Sequence, residues 1–429
     1  METIKNSEAF NNERDKWGKI LIYASALMFL LMMGSKNVYT AELVVLQGVF
    51  SVNKAQVSLA MTYYFITYAV MQILLSFVMG KLNLKIYLTV TGAVSAILTI
   101  LLGLANSITL MYVLCAVNGI FQAGIYSGCM AVINRYVPNK MLPFGNKIMT
   151  ACSVLYGVIS YGTPALFVGY GLWNVPFILL GILFLLSVVF FFCSVQKMKQ
   201  FTNFPTKEET NSKTETEEVK PFLDIKTNKG KILYLLLMLL ISFLINLAYY
   251  AIMSWVPDML HSVYSMPQEY SILITLVVPL ISGAFSIWSI DLCEKRKNII
   301  SVSVFFFTLC TLSMLLCVFL YDKSIVFAVI LLATFLGANG GGRAVFNGVI
   351  AFKMNPVINS GSYLASINAV AAIMAGVVPP IMGAVIDAGN GNLGFLNSYL
   401  ITLAFTVATI IILIAFLLWY NVKNKTIKR

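Results

Sequence analysis

Long apolar runs alternate with short polar stretches along most of the chain. About twelve of these runs could each cross a hydrocarbon core of roughly 30 Å as a helix of about 20 residues. We predict helices because a helix satisfies its own backbone hydrogen bonds in lipid. The runs lie near residues 18–46, 56–79, 84–105, 108–136, 144–168, 172–195, 232–257, 268–292, 298–321, 324–353, 361–386 and 393–422. The pattern therefore predicts an all-α membrane protein with twelve transmembrane helices.

Composition and charge agree with this prediction. Hydrophobic residues make up 59% of the 429 residues and charged residues only 11%, which does not suit a water-soluble surface. The net charge of +12 would suggest a nucleic-acid partner in a soluble protein. Here every lysine and arginine except Lys36, Lys54, Lys323 and Arg343 lies in tails and loops on one side of the predicted spans. The positive-inside rule then places both termini in the cytoplasm, and the basic charge needs no nucleic acid.

A polar stretch divides the chain into two halves. Residues 197–231 are charged, rich in threonine and poor in apolar residues, which predicts a flexible cytoplasmic linker between residues 1–196 and 232–429. Six runs stand on either side. The halves align at a nearly constant shift that pairs Gly124 with Gly342, Arg135 with Lys353, Pro138 with Pro356, Gly145 with Gly361, and Pro164 with Pro380. Two six-helix repeats with a binding site between them, near the midplane, are typical of secondary transporters.

Three short motifs give the chain a family resemblance. They are Lys36 and Asn37 in the first run, Gly119, Phe121 and Gln122 in the NGIFQAG of the fourth, and Trp255 and Pro257 in the SWVPDML of the seventh. With its twelve runs, the chain resembles the major facilitator superfamily. Within it, the motifs are most similar to those of the organophosphate:phosphate antiporter branch, the branch of the glycerol-3-phosphate transporters. The resemblance implies the major facilitator fold and transport by alternating access.

The chain also departs from that branch where the branch binds phosphate. The branch has an arginine in its first helix that aligns with Ser35 here, and one in its seventh helix that aligns with Tyr249. A histidine in the fifth helix of the branch aligns near Val154. Those arginines grip the phosphate group in the branch. The resemblance alone therefore does not make a phosphate ester the substrate.

Two cations are predicted to lie deep in the bilayer. Lys36 and Arg343 each stand about ten residues from an end of their runs, roughly 15 Å along a helix. Burying a charge at that depth costs at least about 2.5 to 3.5 kcal/mol. A charged residue is usually kept there only when it has a function. No carboxylate is predicted at the same depth, which favours a role in binding an anion. The alternatives to anion binding are that the cations pair with Glu42, Asp387 or backbone carbonyls, or that their side chains snorkel to the interface.

Two cations without carboxylate partners would attract an organic anion into a central cavity. The guanidinium of Arg343 could bind a carboxylate or phosphate in a fork, while Lys36 supplies a point charge. The oxalate:formate antiporter of the superfamily likewise uses a basic pair, so a small carboxylate competes with an organophosphate as the expected substrate. Other polar residues at similar depth could complete the site or form interhelical hydrogen bonds: Asn37, Tyr39, Gln122, Tyr126, Tyr156, Asn246, Tyr249, Tyr250, Asn339 and Asn347.

The scarcity of buried acids favours exchange of one anion for another. Proton-driven transporters commonly use a buried Asp, Glu or His, and the single histidine, His261, is predicted to lie in an outer loop. Glu42 and Asp387 are the coupling candidates that keep proton symport open. Efflux of organic compounds and a transporter-like sensor are the remaining alternatives.

The glycine-rich segment GANGGGRAV, residues 337–345, lies inside an apolar run with no strand before it, so it does not indicate a nucleotide-binding loop. We interpret it either as a close helix contact or as a locally bent helix that exposes backbone beside Arg343.

We find no catalytic constellation and no motif of an ATP-driven pump, so we do not expect an enzyme. The seven cysteines lack metal-ligand spacing, and no metal or cofactor is expected. The polar N-terminal segment lacks a cleavage site, so we expect no removable signal peptide. The expected protein is a monomer that crosses the cell (inner) membrane many times and binds a small anion.

Overall fold

The computed structural model describes residues 2–202, 228–295, 299–346, 360–389 and 391–427. In these residues the chain has twelve helical spans long and apolar enough to cross a membrane. Each span overlaps one of the predicted runs, so the predicted all-α membrane fold is confirmed. The side of the bilayer predicted to carry the termini is called the inner side below, and the opposite side is called the outer side.

The helices of the described residues are numbered in chain order. They are α1 (Glu2–Ala41), α2 (Leu43–Phe50), α3 (Lys54–Val78), α4 (Leu84–Gly103), α5 (Ile108–Gln122), α6 (Ile125–Tyr136), α7 (Leu142–Phe167), α8 (Val175–Thr202), α9 (Asn228–Met253), α10 (Val256–Tyr264), α11 (Gln268–Thr275), α12 (Val277–Lys295), α13 (Ile299–Leu320), α14 (Ile325–Ala344), α15 (Ser360–Ala388) and α16 (Asn392–Ile427). Short 3₁₀ turns follow α3, α6 and α7.

Several of the spans are interrupted helices. In the fourth span α5 and α6 meet at Gly124, and in the eighth span α11 and α12 meet at Leu276, shortly before Pro279. Proline cannot donate a backbone hydrogen bond and its ring clashes with the preceding turn, which explains the break before Pro279. Such discontinuous helices are common in transporters, where they place backbone and side chains toward a central site.

The seventh span differs from the sequence-based prediction. The predicted run ends at Pro257, whereas the structure continues through α10 to Tyr264. Pro257 stands in the first turn of α10, where its missing N–H needs no helical acceptor, so it begins a helix instead of ending one. His261 therefore lies in a helix and not in the predicted outer loop, and its Nδ1 lies 2.7 Å from the carbonyl oxygen of Met266.

The polar segments at the inner side also form helix. α1 begins at Glu2, well before the predicted run, and Asp15 on this extension forms an ion pair with Lys140. α8 and α9 extend into both ends of the predicted linker, 197–231. The central part of that linker, and the end of the tenth predicted run beyond Phe346, lie outside the described residues.

The two halves repeat the same packing. In the N-terminal half α1 packs on α7 and α8, α3 packs on α5, and α4 packs on α8. In the C-terminal half α9 packs on α15 and α16, α12 packs on α14, and α13 packs on α16. The halves meet where α3 contacts α15 and where α7 contacts α11 and α12.

The glycine-rich segment of α14 is a close helix contact. A Cβ added to Gly341 would lie 2.8 Å from the ring of Phe306 on α13, and one added to Gly337 would lie 2.9 Å from Ile281 on α12. The segment is α-helical through Ala344 and continues as a π-turn at Val345 and Phe346. The glycines thus form a close helix contact, and the helix becomes irregular only just beyond Arg343. The packing fixes the rotation of α14 and with it the direction in which Arg343 leaves the helix.

Candidate functional site

Lys36 leaves α1 toward a group of aromatic rings on α3. Its ammonium nitrogen lies 4.6 Å from the ring centroids of Phe65 and of Tyr68, and 5.7 Å from that of Tyr64. These distances are those of cation–π contacts. Among the described residues no carboxylate forms an ion pair with Lys36. The side chain is only half-buried, so its positive charge is stabilised by the rings without being neutralised.

Arg343 occupies a similar environment in the other half. Its guanidinium carbon lies 3.9 Å from the ring centroid of Tyr249 on α9. The side chain of Tyr250 lies beside the guanidinium, whose charge also acts on Tyr156 on α7. Arg343 is half-buried and, within the described part of the chain, has no ion pair. Both half-buried cations thus lie against aromatic rings, and among the described residues no acid pairs with either.

Tyrosines of the two halves lie between the two cations. Tyr68, whose ring contacts Lys36, and Tyr250, which lies beside Arg343, are near enough for the ionisation of one to affect the other. Tyr249 and Tyr156 also lie near Arg343.

Gln122 organises a buried network behind Lys36. Its side-chain oxygen accepts a hydrogen bond from Tyr64, and its amide nitrogen donates to Ser95 at 2.8 Å and to Ser35 at 3.4 Å. Ser95 in turn donates to Asn118 at 2.6 Å. Gln122 therefore holds the Tyr64 ring in place beside Lys36. Ser35 is a neutral member of this network at the position where the resembled branch has an arginine.

A small pocket opens between α1, α3, α4 and α5 beside Lys36, lined also by Ser35, Tyr39 and Tyr64. Its free space suffices for about one water molecule. An organic substrate would need the helices around the cations to separate further.

The other predicted site residues fall into different classes. Several donate hydrogen bonds to backbone carbonyls: Asn37 donates to Met33 O at 2.8 Å, Tyr39 to Val57 O at 2.7 Å, Asn246 to Ser242 O at 2.8 Å, and Asn339 to Ile245 O at 3.1 Å. Tyr126 is 45% exposed and packs against Phe29. Asn347 lies outside the described residues. The residues that the structure brings together around the cations are Gln122, Tyr156, Tyr249 and Tyr250.

The two coupling candidates have contrasting environments. Asp387, at the outer end of α15, accepts a hydrogen bond from the backbone N–H of Lys54 at 2.8 Å and pairs with its ammonium at 3.6 Å. Glu42 is fully buried between α1 and α2. Neither of its carboxyl oxygens has a hydrogen-bond partner among the described residues.

The sequence analysis missed a third acid, Asp258. It is buried in α10, lies 3.4 Å from the ammonium of Lys54, and accepts a hydrogen bond from Ser262 at 2.8 Å. Its position just after Pro257 made it look like a loop residue. Only the continuation of the seventh span through Pro257 reveals it. Lys54, Asp258 and Asp387, which we call the outer ion triad, connect the two halves.

Comparison with known proteins agrees with this architecture. The model of the Major Facilitator Superfamily matches residues 24–379. The chain belongs to this superfamily. Among curated proteins, none matches the chain. The fold of this superfamily member is similar to that of a bacterial homolog of the human lysosomal transporter Spinster, in an inward-facing and unoccupied conformation (TM-score 0.69, 15% identity, 96% of this chain and 97% of that chain).

It is also similar to the nucleoside transporter NupG, with a TM-score of 0.66, 16% identity, and coverage of 94% of this chain and 98% of that one. At such low identity these likenesses establish the fold only. The chain is thus a multi-pass membrane transporter of the Major Facilitator Superfamily with twelve spans.

Proposed function

We propose that the protein moves a small organic anion across the membrane by alternating access between its two halves. The observation that supports the proposal is that Lys36 and Arg343, one from each half, lie against aromatic rings and lack carboxylate partners among the described residues. We propose that both face one central region. An anion bound between them would contact both halves at once. Because it would stabilise the charges of both, its binding would be coupled to the approach of the halves.

The chemistry of the anion follows from the residues around the two cations. Arg343 can bind a carboxylate or a phosphate with its fork, and tyrosine hydroxyls can donate further hydrogen bonds. The neutral Ser35 replaces the arginine of the organophosphate:phosphate antiporter branch. The short motifs favour an organophosphate, whereas the neutral Ser35 favours a carboxylate. Both classes of anion must therefore be tested as substrates.

A hydrophobic efflux substrate is less compatible with this region, because two half-buried positive charges would have to lose their remaining water without compensation. We further propose a monomer in the cell membrane, with both termini in the cytoplasm as the distribution of lysine and arginine indicates.

Counterflow in proteoliposomes tests the anion proposal. Purified protein is reconstituted with labelled phosphate, glycerol-3-phosphate, a hexose phosphate, oxalate and a monocarboxylate, each tested in turn, with a nucleoside as a neutral comparison. We expect saturable exchange of at least one anion. Transport of the nucleoside without any of the anions would contradict the proposal, and binding without transport would favour a sensor.

Charge removal at the two cations provides the first testable prediction. Lys36→Ala and Arg343→Ala should each reduce anion counterflow by at least about tenfold, because a hydrogen bond to a charged group contributes about 1.5 to 3 kcal/mol. Lys323→Ala is the matched control, since it removes a lysine whose side chain is 67% exposed at the outer surface. Equal counterflow in all three variants would assign Lys36 and Arg343 a structural role.

A further inference from the structure

Three cations stand at the inner ends of three neighbouring helices of the N-terminal half. Lys85 lies in the first turn of α4, Arg135 in the last turn of α6, and Lys199 in the last turn of α8. α4 packs on α8, and α6 contacts both of these helices. The three charges are thus close to the level at which the apolar spans end and the lipid headgroups of the inner leaflet begin.

Lys85 is directed at α8 and not at the surrounding water. Its ammonium donates a hydrogen bond to the side-chain oxygen of Gln196 and lies 4.0 Å from the ring centroid of Phe192. Phe192 is 40% exposed within an apolar span, so the free part of its ring contacts lipid. Lys85 is half-buried and forms no ion pair with an acid among the described residues. Its charge is therefore held at the boundary between protein and lipid without being neutralised.

The ring of Tyr136 on α6 brings the other two cations together. It lies 5.8 Å from the guanidinium carbon of Arg135 and 6.0 Å from the ammonium of Lys199, measured from the ring centroid. Arg135 is exposed and has no ion pair in the described part of the chain. Because two cations near one ring repel each other, an anion close to both would be stabilised by both charges.

The residues of α8 in these contacts lie on one face of the helix. Phe192, Gln196 and Lys199 are spaced four and three residues apart, and Val189, which is 55% exposed, continues the same face toward the bilayer centre. From Phe192 to Lys199, about 10 Å along the helix, the surface changes from apolar to polar to positive. An anionic phospholipid of the inner leaflet has the complementary order of acyl chains, glycerol backbone and phosphate.

Lys140 shows how a basic residue of the inner side differs when it serves orientation alone. It is exposed and forms an ion pair with Asp15 of the α1 extension. The positive-inside rule requires only that such cations stay on the cytoplasmic side. It does not require an ammonium to lie over a lipid-exposed ring, as that of Lys85 does. Membrane orientation therefore does not account for the arrangement at the ends of α4, α6 and α8.

We propose that this surface binds the headgroup of one anionic phospholipid of the inner leaflet. Lys85, Arg135 and Lys199 contact its phosphate, and its acyl chains lie along Phe192 and Val189. Basic pockets between transmembrane helices on the cytoplasmic side suit such headgroups in charge and in depth. A headgroup bound there contacts three helices at once, so it should raise the unfolding temperature of the protein. The inference does not depend on which substrate is transported.

Native mass spectrometry of the delipidated full chain tests the site. The protein is titrated with phosphatidylglycerol or with phosphatidylcholine of the same acyl chains, and the dissociation constant of the first bound lipid is measured. We expect phosphatidylglycerol to bind at least about tenfold more tightly, because each cation near an anionic headgroup contributes roughly fivefold to binding. Phosphatidylglycerol should also raise the thermal unfolding temperature in detergent more than phosphatidylcholine does.

Charge removal locates the bound headgroup. Lys85→Gln and Arg135→Gln should each weaken the binding of phosphatidylglycerol about fivefold and leave that of phosphatidylcholine unchanged. Lys85→Arg keeps the charge and should keep the affinity. Lys140→Gln is the matched control, since it removes an exposed lysine of the same half and the same side of the membrane. It should not alter the preference for phosphatidylglycerol.

Three results would overturn the proposal. Equal affinities for the two lipids would show that the surface does not select a negative headgroup. An equal loss of affinity in Lys85→Gln and Lys140→Gln would assign the preference to the general positive charge of the inner side. Stabilisation by millimolar inorganic phosphate that matches that of phosphatidylglycerol would make the surface a site for a soluble anion. None of these measurements involves transport, so each result leaves the proposed anion transport standing.

Discussion

At the scale of single residues, Lys36 shows how a charge can persist inside an apolar bundle. Its ammonium contacts the faces of Phe65 and Tyr68, and each such contact stabilises a desolvated cation by about 0.5 to 2 kcal/mol. A carboxylate partner would neutralise the charge and compete with a bound anion. Aromatic rings stabilise the cation when no anion is bound, but they do not neutralise it, so it can still attract an anion.

The ring of Tyr68 provides a prediction at this scale, because it contacts Lys36. Tyr68→Leu should raise the KM for the transported anion about 3- to 30-fold, corresponding to the loss of one cation–π contact. Tyr68→Phe keeps the ring and should retain most of the affinity. The KM values come from the initial rates of counterflow.

Tyr63→Leu is the matched control, since Tyr63 is 45% exposed on another face of the same helix and packs on Tyr112. A KM that stays constant in Tyr68→Leu, or rises equally in Tyr63→Leu, would contradict a role for the Tyr68 ring.

At the scale of elements, α3 connects the candidate site to the rest of the fold. It carries Tyr64, Phe65 and Tyr68, and it also packs against α15 of the other half. Gly119 of α5 determines how closely α3 approaches its neighbour, because a Cβ added there would collide with the backbone oxygen of Tyr64. Backbone cannot move aside as a flexible side chain can, so α5 holds the ring-bearing part of α3 in place.

Gly119→Ala should therefore lower the thermal unfolding temperature in detergent and reduce anion counterflow, because α3 must shift away from α5. Overpacking of a close contact typically costs about 1 to 3 kcal/mol. Gly48→Ala is the control: an added Cβ there meets no atom within 4 Å. Helix propensity makes that change neutral or slightly stabilising. Unchanged stability and counterflow in Gly119→Ala would show that the close α3–α5 contact does not determine the position of α3 or the transport rate.

At the scale of the whole molecule, the outer ion triad joins the halves in the conformation seen here. The ammonium of Lys54, from the N-terminal half, lies 3.4 Å from Asp258 and 3.6 Å from Asp387 of the C-terminal half. Asp258 is buried, so removal of Lys54 leaves a charge without its partner, which is strongly destabilising. Opening the outer side requires the same contacts to break. The triad thus biases the protein toward the outer-closed conformation.

Lys54→Met should accordingly increase exposure of the outer side of the interface. A cysteine placed at Thr62, which contacts Gly376 across the interface, can report this exposure in a protein otherwise free of cysteine. An impermeant maleimide added outside should label it several-fold faster in Lys54→Met. Lys323→Met, which removes a lysine paired with the adjacent Asp322, should not alter the rate. Equal rates in the two variants would show that the triad does not hold the outer side closed.

Part of the candidate site followed from the sequence. Lys36 and Arg343 were found because each interrupts an apolar run without a nearby acid, and their lack of described ion pairs agrees with that reasoning. The polar residues near them could not be sorted in the same way. Asn246 and Asn339 satisfy their donors on backbone carbonyls, whereas Tyr249 and Tyr250 contact Arg343, although all four stand in similar sequence surroundings.

The sequence by itself determined the twelve spans, because the hydropathy of a segment and the self-contained hydrogen bonding of a helix are local properties. Which residues meet was decided only by the tertiary structure. The pairing of Lys54 with Asp258, the contact of Arg343 with the Tyr249 ring and the isolation of Glu42 depend on the rotation and neighbours of each helix. The rotation and neighbours of each helix are determined by contacts between residues far apart in the chain. A local sequence pattern therefore cannot predict them.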